Sequence, residues 1–268
     1  MKALMTTIIA LILLYTSICV IAYFNQEKGI FHPEKLPQNF KYDFIDAFEE
    51  VNLKAEDGTI LNALYFSMPE NENLVVYYHG NAGTLEHWGE ISHLYLEYGF
   101  NLLIYDFRGF GKSGGEIKNE EQFYSDGQLV YDYAKSITAE KNLTVVGYSI
   151  GSGTASYISS QNNPKRLILK SPYYDLPSLA LEKVSWLPIR LLIKYKFSNR
   201  ENIENVQVPV YIFHGDLDEM IVIDHSKKLY EELDSKPEFI ILPHQGHHGM
   251  NFNEIYISYL NKLGGRSK

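Results

Sequence analysis

Apolar residues in this chain recur in two rhythms, and where one replaces the other the boundaries of the fold can be read. The run ALMTTIIALILLYTSICVIAYF occupies residues 3–24 without a charge. As a helix rising about 1.5 Å per residue it spans roughly 33 Å, enough to cross a hydrocarbon layer of about 30 Å. Residues 25–47 are polar and contain Pro33 and Pro37, the signature of a linker. EEVNLKAEDG and TILNALYFSM then alternate apolar and polar positions around Asp57-Gly58, which predicts a hairpin. From there the apolar runs are denser, as strands buried on both faces require: NLVVYYHG, NLLIYDF, LTVVGYS, RLILKSP, VPVYIFHG and EFIILP.

Between these runs the spacing turns helical. Thr84 to Tyr98 has helical periodicity and stops at Gly99, and EEQFYSDGQLVYDYAKSI is a longer helix. Alternating strands and helices predict an α/β fold: a mostly parallel eight-stranded sheet with helices on both faces. Ahead of VPVYIFHG, the amphipathic segment SLALEKVSWLPIRLLIKYKFSNR is broken at Pro188, so two short helices are expected there, forming a small cap over about residues 176–205. The organisation expected is a transmembrane signal anchor over 1–24, a linker over 25–47 and a single α/β domain over 48–268.

The anchor has a rival, a cleaved signal peptide with Ser17 and Cys19 as the small residues before the cut. VIAYF prolongs the apolar run past that point, beyond an ordinary signal-peptide core, and favours an uncleaved anchor. Lys2 and the amino terminus lie on one side, which by the positive-inside tendency places the body on the extracytoplasmic side.

Candidate chemistry begins where LTVV runs into Gly147-Tyr148-Ser149-Ile150-Gly151 and small, proline-free residues follow. Strand, sharp turn and helix start are the context in which G-x-S-x-G exposes a nucleophilic serine. A serine hydroxyl needs a base to take its proton and a third group to orient that base. The loop after VPVYIF holds H-G-D-L-D, offering Asp216 or Asp218, and the loop after EFIILP holds His244, His247 and His248. Upstream, NLVVYYHGNAG ends in a small-residue turn able to present backbone N–H groups.

The order serine, acid, histidine, each beyond the end of a strand, resembles the α/β-hydrolase superfamily. Within it, H-G-N-A-G, D-x-R-G-x-G-x-S, G-Y-S-I-G, H-G-x-x-D-E and G-H resemble the bud-emergence-protein-like branch of membrane-tethered serine hydrolases, over roughly residues 48–263. Relatives of that branch include protein depalmitoylases and lysophospholipid or monoacylglycerol lipases. The resemblance implies the α/β-hydrolase fold, with Ser149 as nucleophile, Asp218 as the acid in preference to Asp216, and His247 as the base in preference to His248. It also implies that Asp106 and Arg108 pin the loop framing the mouth of the site. The oxyanion donors expected are the backbone N–H of Ile150 and that of Asn81, with Ala82 its neighbour.

Composition narrows the partners. A net charge of −9 argues against a nucleic-acid surface, and one cysteine, Cys19, excludes an intrachain disulfide. Inside this acidic chain, residues 179–200 carry a local net charge of +4 beside Trp186, Leu187, Leu191 and Leu192. That face suits either anionic lipid head groups or a cap over an apolar pocket with solvated lysines. FRGFGKSGGE contains Gly109, Gly111 and Gly114 in a G-x-G-x-x-G pattern, but polar EIKNEEQ follows where a dinucleotide fold needs a helix start. A phosphate loop needs glycine where Asp106 stands. His244, His247 and His248 match no zinc spacing, so no metal is expected. Nor is a cofactor, since an acyl-enzyme route needs none. The leading expectation is a serine hydrolase acting on small-molecule or lipid-like acyl esters or thioesters. A membrane-anchored binding protein of the same fold, and an amidase or peptidase using the same three groups, stand as alternatives.

Overall fold

A computed structural model of the chain describes residues 1–234 and 236–264. It opens with α1 (Lys2–Ile30) and a hairpin of β1 (Phe48–Lys54) and β2 (Ile60–Phe66). Then come β3 (Leu74–Tyr78), the short helices α2 (Leu85–Trp88) and α3 (Ser92–Glu97), and β4 (Asn101–Tyr105). The centre of the fold is α4 (Glu120–Ile137), β5 (Leu143–Tyr148), α5 (Gly151–Gln161) and β6 (Arg166–Lys170). Helices α6 (Leu176–Lys183), α7 (Ile189–Leu192) and α8 (Asn199–Glu204) lead to β7 (Val210–Gly215), α9 (Asp224–Glu232), β8 (Glu238–Leu242) and α10 (Glu254–Gly264).

The eight strands form one sheet in the order β1-β2-β4-β3-β5-β6-β7-β8. Only β2 runs antiparallel to its neighbours; all pairs from β4 to β8 are parallel. This is an α/β-hydrolase fold. Every residue of β3, β4, β5 and β6 is buried, which explains their near-continuous apolar sequences. Side chains of a strand alternate between faces. Leu74, Val76 and Tyr78 therefore pack with α4 and α5, while Val75 and Tyr77 pack with α3 and α10.

Pro188 falls between the short helices α6 and α7, and a third, α8, follows before β7. Asp175 caps α6 by accepting from the Ser178 backbone N–H at 2.6 Å, and Pro188 precedes the single turn of α7.

Helix α1 is the one helix among the described residues long and apolar enough to cross a membrane. It does not stop with the apolar run at Phe24. The polar turn that follows stays helical because it finds partners on the cap. Gln26 donates to the Leu192 carbonyl at 3.1 Å and accepts from the Lys194 backbone N–H at 2.8 Å. Glu27 pairs with Lys194 at 3.1 Å and accepts from the Tyr195 hydroxyl at 3.2 Å. Part of the basic face is thus neutralised by α1, and Arg200 is paired with Glu204 at 2.7 Å.

Residues 31–47, read from sequence as a linker, lie along the body. Phe31 and Tyr42 are buried, and Lys35 bridges to Gly111. The Leu36 N–H donates to the Gly111 carbonyl at 2.9 Å and the Gly111 N–H to the Glu34 carbonyl at 2.7 Å. Within this polar, proline-containing segment sit aromatic anchors, with Phe44 packed edge-on against Phe48 at 5.4 Å.

Candidate active site

The carboxyl ends of β5, β7 and β8 converge, as functional groups do in parallel sheets. At the end of β5 the chain reverses so sharply into α5 that Ser149 adopts φ +54°, a left-handed conformation costly for a residue with a Cβ. The flanking glycines make this turn possible. A Cβ on Gly147 would lie 2.5 Å from Ala155 Cβ, and one on Gly151 only 2.1 Å from the Tyr78 carbonyl oxygen. The Ser149 N–H is held by the Lys170 carbonyl at 3.0 Å, and the Ser149 carbonyl accepts from the Ser152 hydroxyl at 2.6 Å.

The loop after β7 presents Asp218 and the loop after β8 presents His247. His247 Nε2 stands 3.1 Å from Ser149 Oγ, and its Nδ1 stands 2.7 Å from Asp218 Oδ2. With Nδ1 carrying the hydrogen toward the carboxylate, Nε2 is left to accept from the serine hydroxyl. Burial alone would raise the Asp218 carboxyl. Hydrogen bonds from His247, from the Ser171 hydroxyl at 2.6 Å and from the Ile221 N–H at 2.9 Å outweigh it and bring the group down to about 2. The Met220 N–H adds a fourth bond at 3.0 Å, so the carboxylate is ionised and fixed in rotation. His247 is steadied from its own backbone, whose carbonyl accepts from the Tyr148 hydroxyl at 2.7 Å.

Beneath Asp218 lies buried His214. Its Nε2 donates to the Ile221 carbonyl at 2.8 Å and its Nδ1 accepts from the Ser226 hydroxyl at 2.7 Å. Burial pushes its imidazole below the usual range, so it is neutral and serves to shape the Asp218 turn.

The structure also separates the alternatives. Asp216 is exposed where Asp218 is buried, and His244 and His248 are exposed where His247 is buried. Asn81 and Ile150 line the same cavity as Ser149 and His247. Their backbone N–H groups donate to no acceptor among the described residues.

The glycine-rich loop after β4 is structural. Arg108 clasps Asp126 through two bonds and reaches Asp57 at 2.6 Å and Thr59 at 2.9 Å. Asp106, raised to about 8 by burial, accepts from the Leu85 N–H at 3.1 Å. At Gly111, φ +47°, a Cβ would fall 1.8 Å from the Asp106 carboxyl. The G-x-G pattern therefore records close packing around an aspartate. His79, its ring tilted against that of Phe107 with centroids 4.1 Å apart and lowered to about 4 by burial, belongs to the same support.

Above Ser149 and His247 opens a cavity of about 520 Å³. Its walls are apolar, formed by Leu176, Leu179, Leu187, Leu192 and Ile193 of the cap region together with Ile221 and Met220. One further wall comes from α1.

Sequence reasoning missed several of these residues. Ser171 gives no signal beyond following β6, and the role of Tyr148 depends on a contact 99 positions away. Lys170 is enclosed by the rings of Tyr77, Tyr148 and Tyr256, 4.5–5.6 Å from their centroids, and could have been suspected only as a charge ending an apolar strand.

Fold and site together define a hydrolase-type scaffold, and comparison with known proteins places the chain within it. The family model described as serine aminopeptidase, S33, matches residues 69–204, and the chain belongs to this family of the α/β-hydrolase superfamily. Protein Rv2307c of Mycobacterium tuberculosis is 24% identical over 245 residues, covering 90% of this chain and 87% of that protein. Lysophosphatidylserine lipase ABHD12 of Rattus norvegicus is 26% identical over 188 residues, covering 61% of this chain and 46% of that protein. Among solved structures, the Pyrococcus furiosus esterase Pf2001 superposes with a TM-score of 0.69 at 18% identity, covering 87% of this chain and 96% of that one. That likeness speaks for the fold.

Proposed function

We propose that the protein is a serine hydrolase that cleaves carboxylic esters or thioesters of lipid-like acyl groups through an acyl-enzyme intermediate. The observation that carries this reading is the relay of Ser149, His247 and Asp218 at 3.1 and 2.7 Å beneath an apolar cavity.

Ser149 Oγ attacks the acyl carbonyl carbon while His247 Nε2 takes its proton, and the carbonyl oxygen becomes an oxyanion. The free N–H groups of Asn81 and Ile150 stabilise that charge; one such donor is worth about 10² to 10³ in rate. The intermediate collapses by breaking the bond to the alcohol or thiol, which leaves with the proton held by His247. Water, deprotonated by the same imidazole, then attacks the acyl-serine, and the proton returns to Ser149 Oγ as the carboxylic acid departs. Asp218 remains ionised throughout and stabilises the imidazolium.

Amides pass through the same intermediate, and the family description names an aminopeptidase. The cavity favours the acyl reading. Among the described residues that line it there is no Asp or Glu to bind the free α-amino group of a peptide. In this reading helix α1 tethers the enzyme, with the catalytic body on the extracytoplasmic side, as the positive charge of Lys2 before the charge-free run favours. The test is a panel of p-nitrophenyl esters and acyl thioesters beside aminoacyl anilides. Turnover of the first two that vanishes in Ser149→Ala supports the reading; turnover of the anilides alone refutes it.

A further inference from the structure

Five residues of α1 line the cavity: Ala22, Asn25, Gln26, Gly29 and Ile30. Their spacing of three and four marks a single helical face. At about 1.5 Å per residue this stripe is roughly 12 Å long. Its lower end lies at the reactive serine, because the Asn81 side-chain amide, on the cavity wall beside Ser149, donates to the Ile30 carbonyl. Its upper end, Ala22, lies inside the charge-free run of residues 3–24. The cavity therefore climbs from the nucleophile to the level of the membrane-crossing segment.

The cap climbs with it. The Tyr15 hydroxyl donates to the Trp186 carbonyl at 3.0 Å, nine residues above Phe24. Beside this contact the cap exposes Trp186 and Leu191, at 59% and 85%, next to the exposed apolar side chains of α1. In water such exposed apolar surface is unfavourable. In hydrocarbon the same residues are satisfied, and the cap-side opening of the cavity faces acyl chains.

We propose that α1 is a wall of the acyl site, and that the substrate is a long-chain acyl ester lying in the bilayer, which enters between α1 and the α6–α7 cap without crossing water. This rests on the hydrolase reading above and adds substrate class and route. The small residues Ala22 and Gly29 keep the passage open. A Cβ on Gly29 meets no atom within 4 Å, so a larger side chain there projects into free space.

The experiment uses full-length protein in phosphatidylcholine–phosphatidylglycerol vesicles, with hexadecanoyl and butyryl esters of 4-methylumbelliferone. Gly29→Trp and Ala22→Trp are compared with Ile8→Trp, whose exposed position lies outside the cavity. The expected result is a fall of at least about tenfold in the hexadecanoyl-to-butyryl ratio of kcat/KM for the first two, with the ratio kept in Ile8→Trp. Uptake of a small fluorophosphonate at Ser149 establishes that each variant is folded. Ratios matching wild type in both Gly29→Trp and Ala22→Trp, with Ser149 labelled, overturn the inference and leave the hydrolase intact. A wild-type protein that takes up no fluorophosphonate and turns over neither ester removes both.

Discussion

Asp218→Asn tests the orienting role proposed for the acid with little change of shape. In the native protein one carboxylate oxygen accepts from the Met220 and Ile221 N–H groups at 3.0 and 2.9 Å, and the other from His247 and Ser171 at 2.7 and 2.6 Å. An asparagine keeps the two backbone bonds only by turning its oxygen toward them. Its NH₂ then points at His247 Nδ1, which must become an acceptor, and the imidazole hydrogen moves to Nε2. In that tautomer Nε2 cannot take the Ser149 proton. Loss of the corresponding carboxylate in a serine–histidine–aspartate relay costs about 10⁴ in kcat, close to 5.5 kcal/mol. Because the cavity above Ser149 is untouched, KM stays near wild type. Steady-state hydrolysis of p-nitrophenyl butyrate reads both parameters, and circular dichroism reads the fold. A folded Asp218→Asn enzyme retaining more than about a tenth of wild-type kcat would refute the relay, since only a wrong tautomer gives so large a loss.

Two further predictions concern the support of the site. Burial lowers the Lys170 ammonium to about 7, against about 10.4 in an unfolded chain. Below pH 7 both states hold the proton and the native state bears the full burial penalty. Between pH 7 and 10 the unfolded state binds more protons, so stability rises with pH, by at most about 4 kcal/mol. Urea denaturation at pH 6, 8 and 10 should show that slope and show it flattened in Lys170→Met; equal slopes in the two proteins would contradict the burial argument. Gly151→Ala drives a Cβ to 2.1 Å from the Tyr78 carbonyl and 2.5 Å from that of His79. Neither is a flexible side-chain end, so a cost of about 3 kcal/mol or more is expected, a fall of roughly 6–12 °C in Tm by scanning calorimetry. An unchanged Tm would mean that the turn after β5 is looser than its geometry implies.

Local pattern reached much of this molecule. The all-buried strands announce themselves as apolar runs, and α4 occupies Glu120–Ile137, the span its periodicity implies. Ser149, Asp218 and His247 are legible because each stands just beyond a strand end, where the topology of the sheet does the assembling. What escaped depends on contacts between distant segments. Helix α9 offers only Leu229 and Tyr230 as apolar residues among nine, so its core face, completed by buried His225 and Ser226, gives no apolar run to read. Gln26 and Glu27 read as the start of a linker because nothing local reveals that Leu192, Lys194 and Tyr195 complete their hydrogen bonds. Ser171 became visible only when β6 set it beside the Asp218 loop.

Intact-mass spectrometry after brief exposure to a fluorophosphonate reaches the central claim most directly, because it reads the nucleophilicity of one hydroxyl independently of any substrate. The expected result is a single phosphonyl adduct mapped to Ser149, absent in Ser149→Ala and formed far more slowly in His247→Ala. An unmodified wild-type chain, or an adduct on another residue that persists in Ser149→Ala, would contradict it.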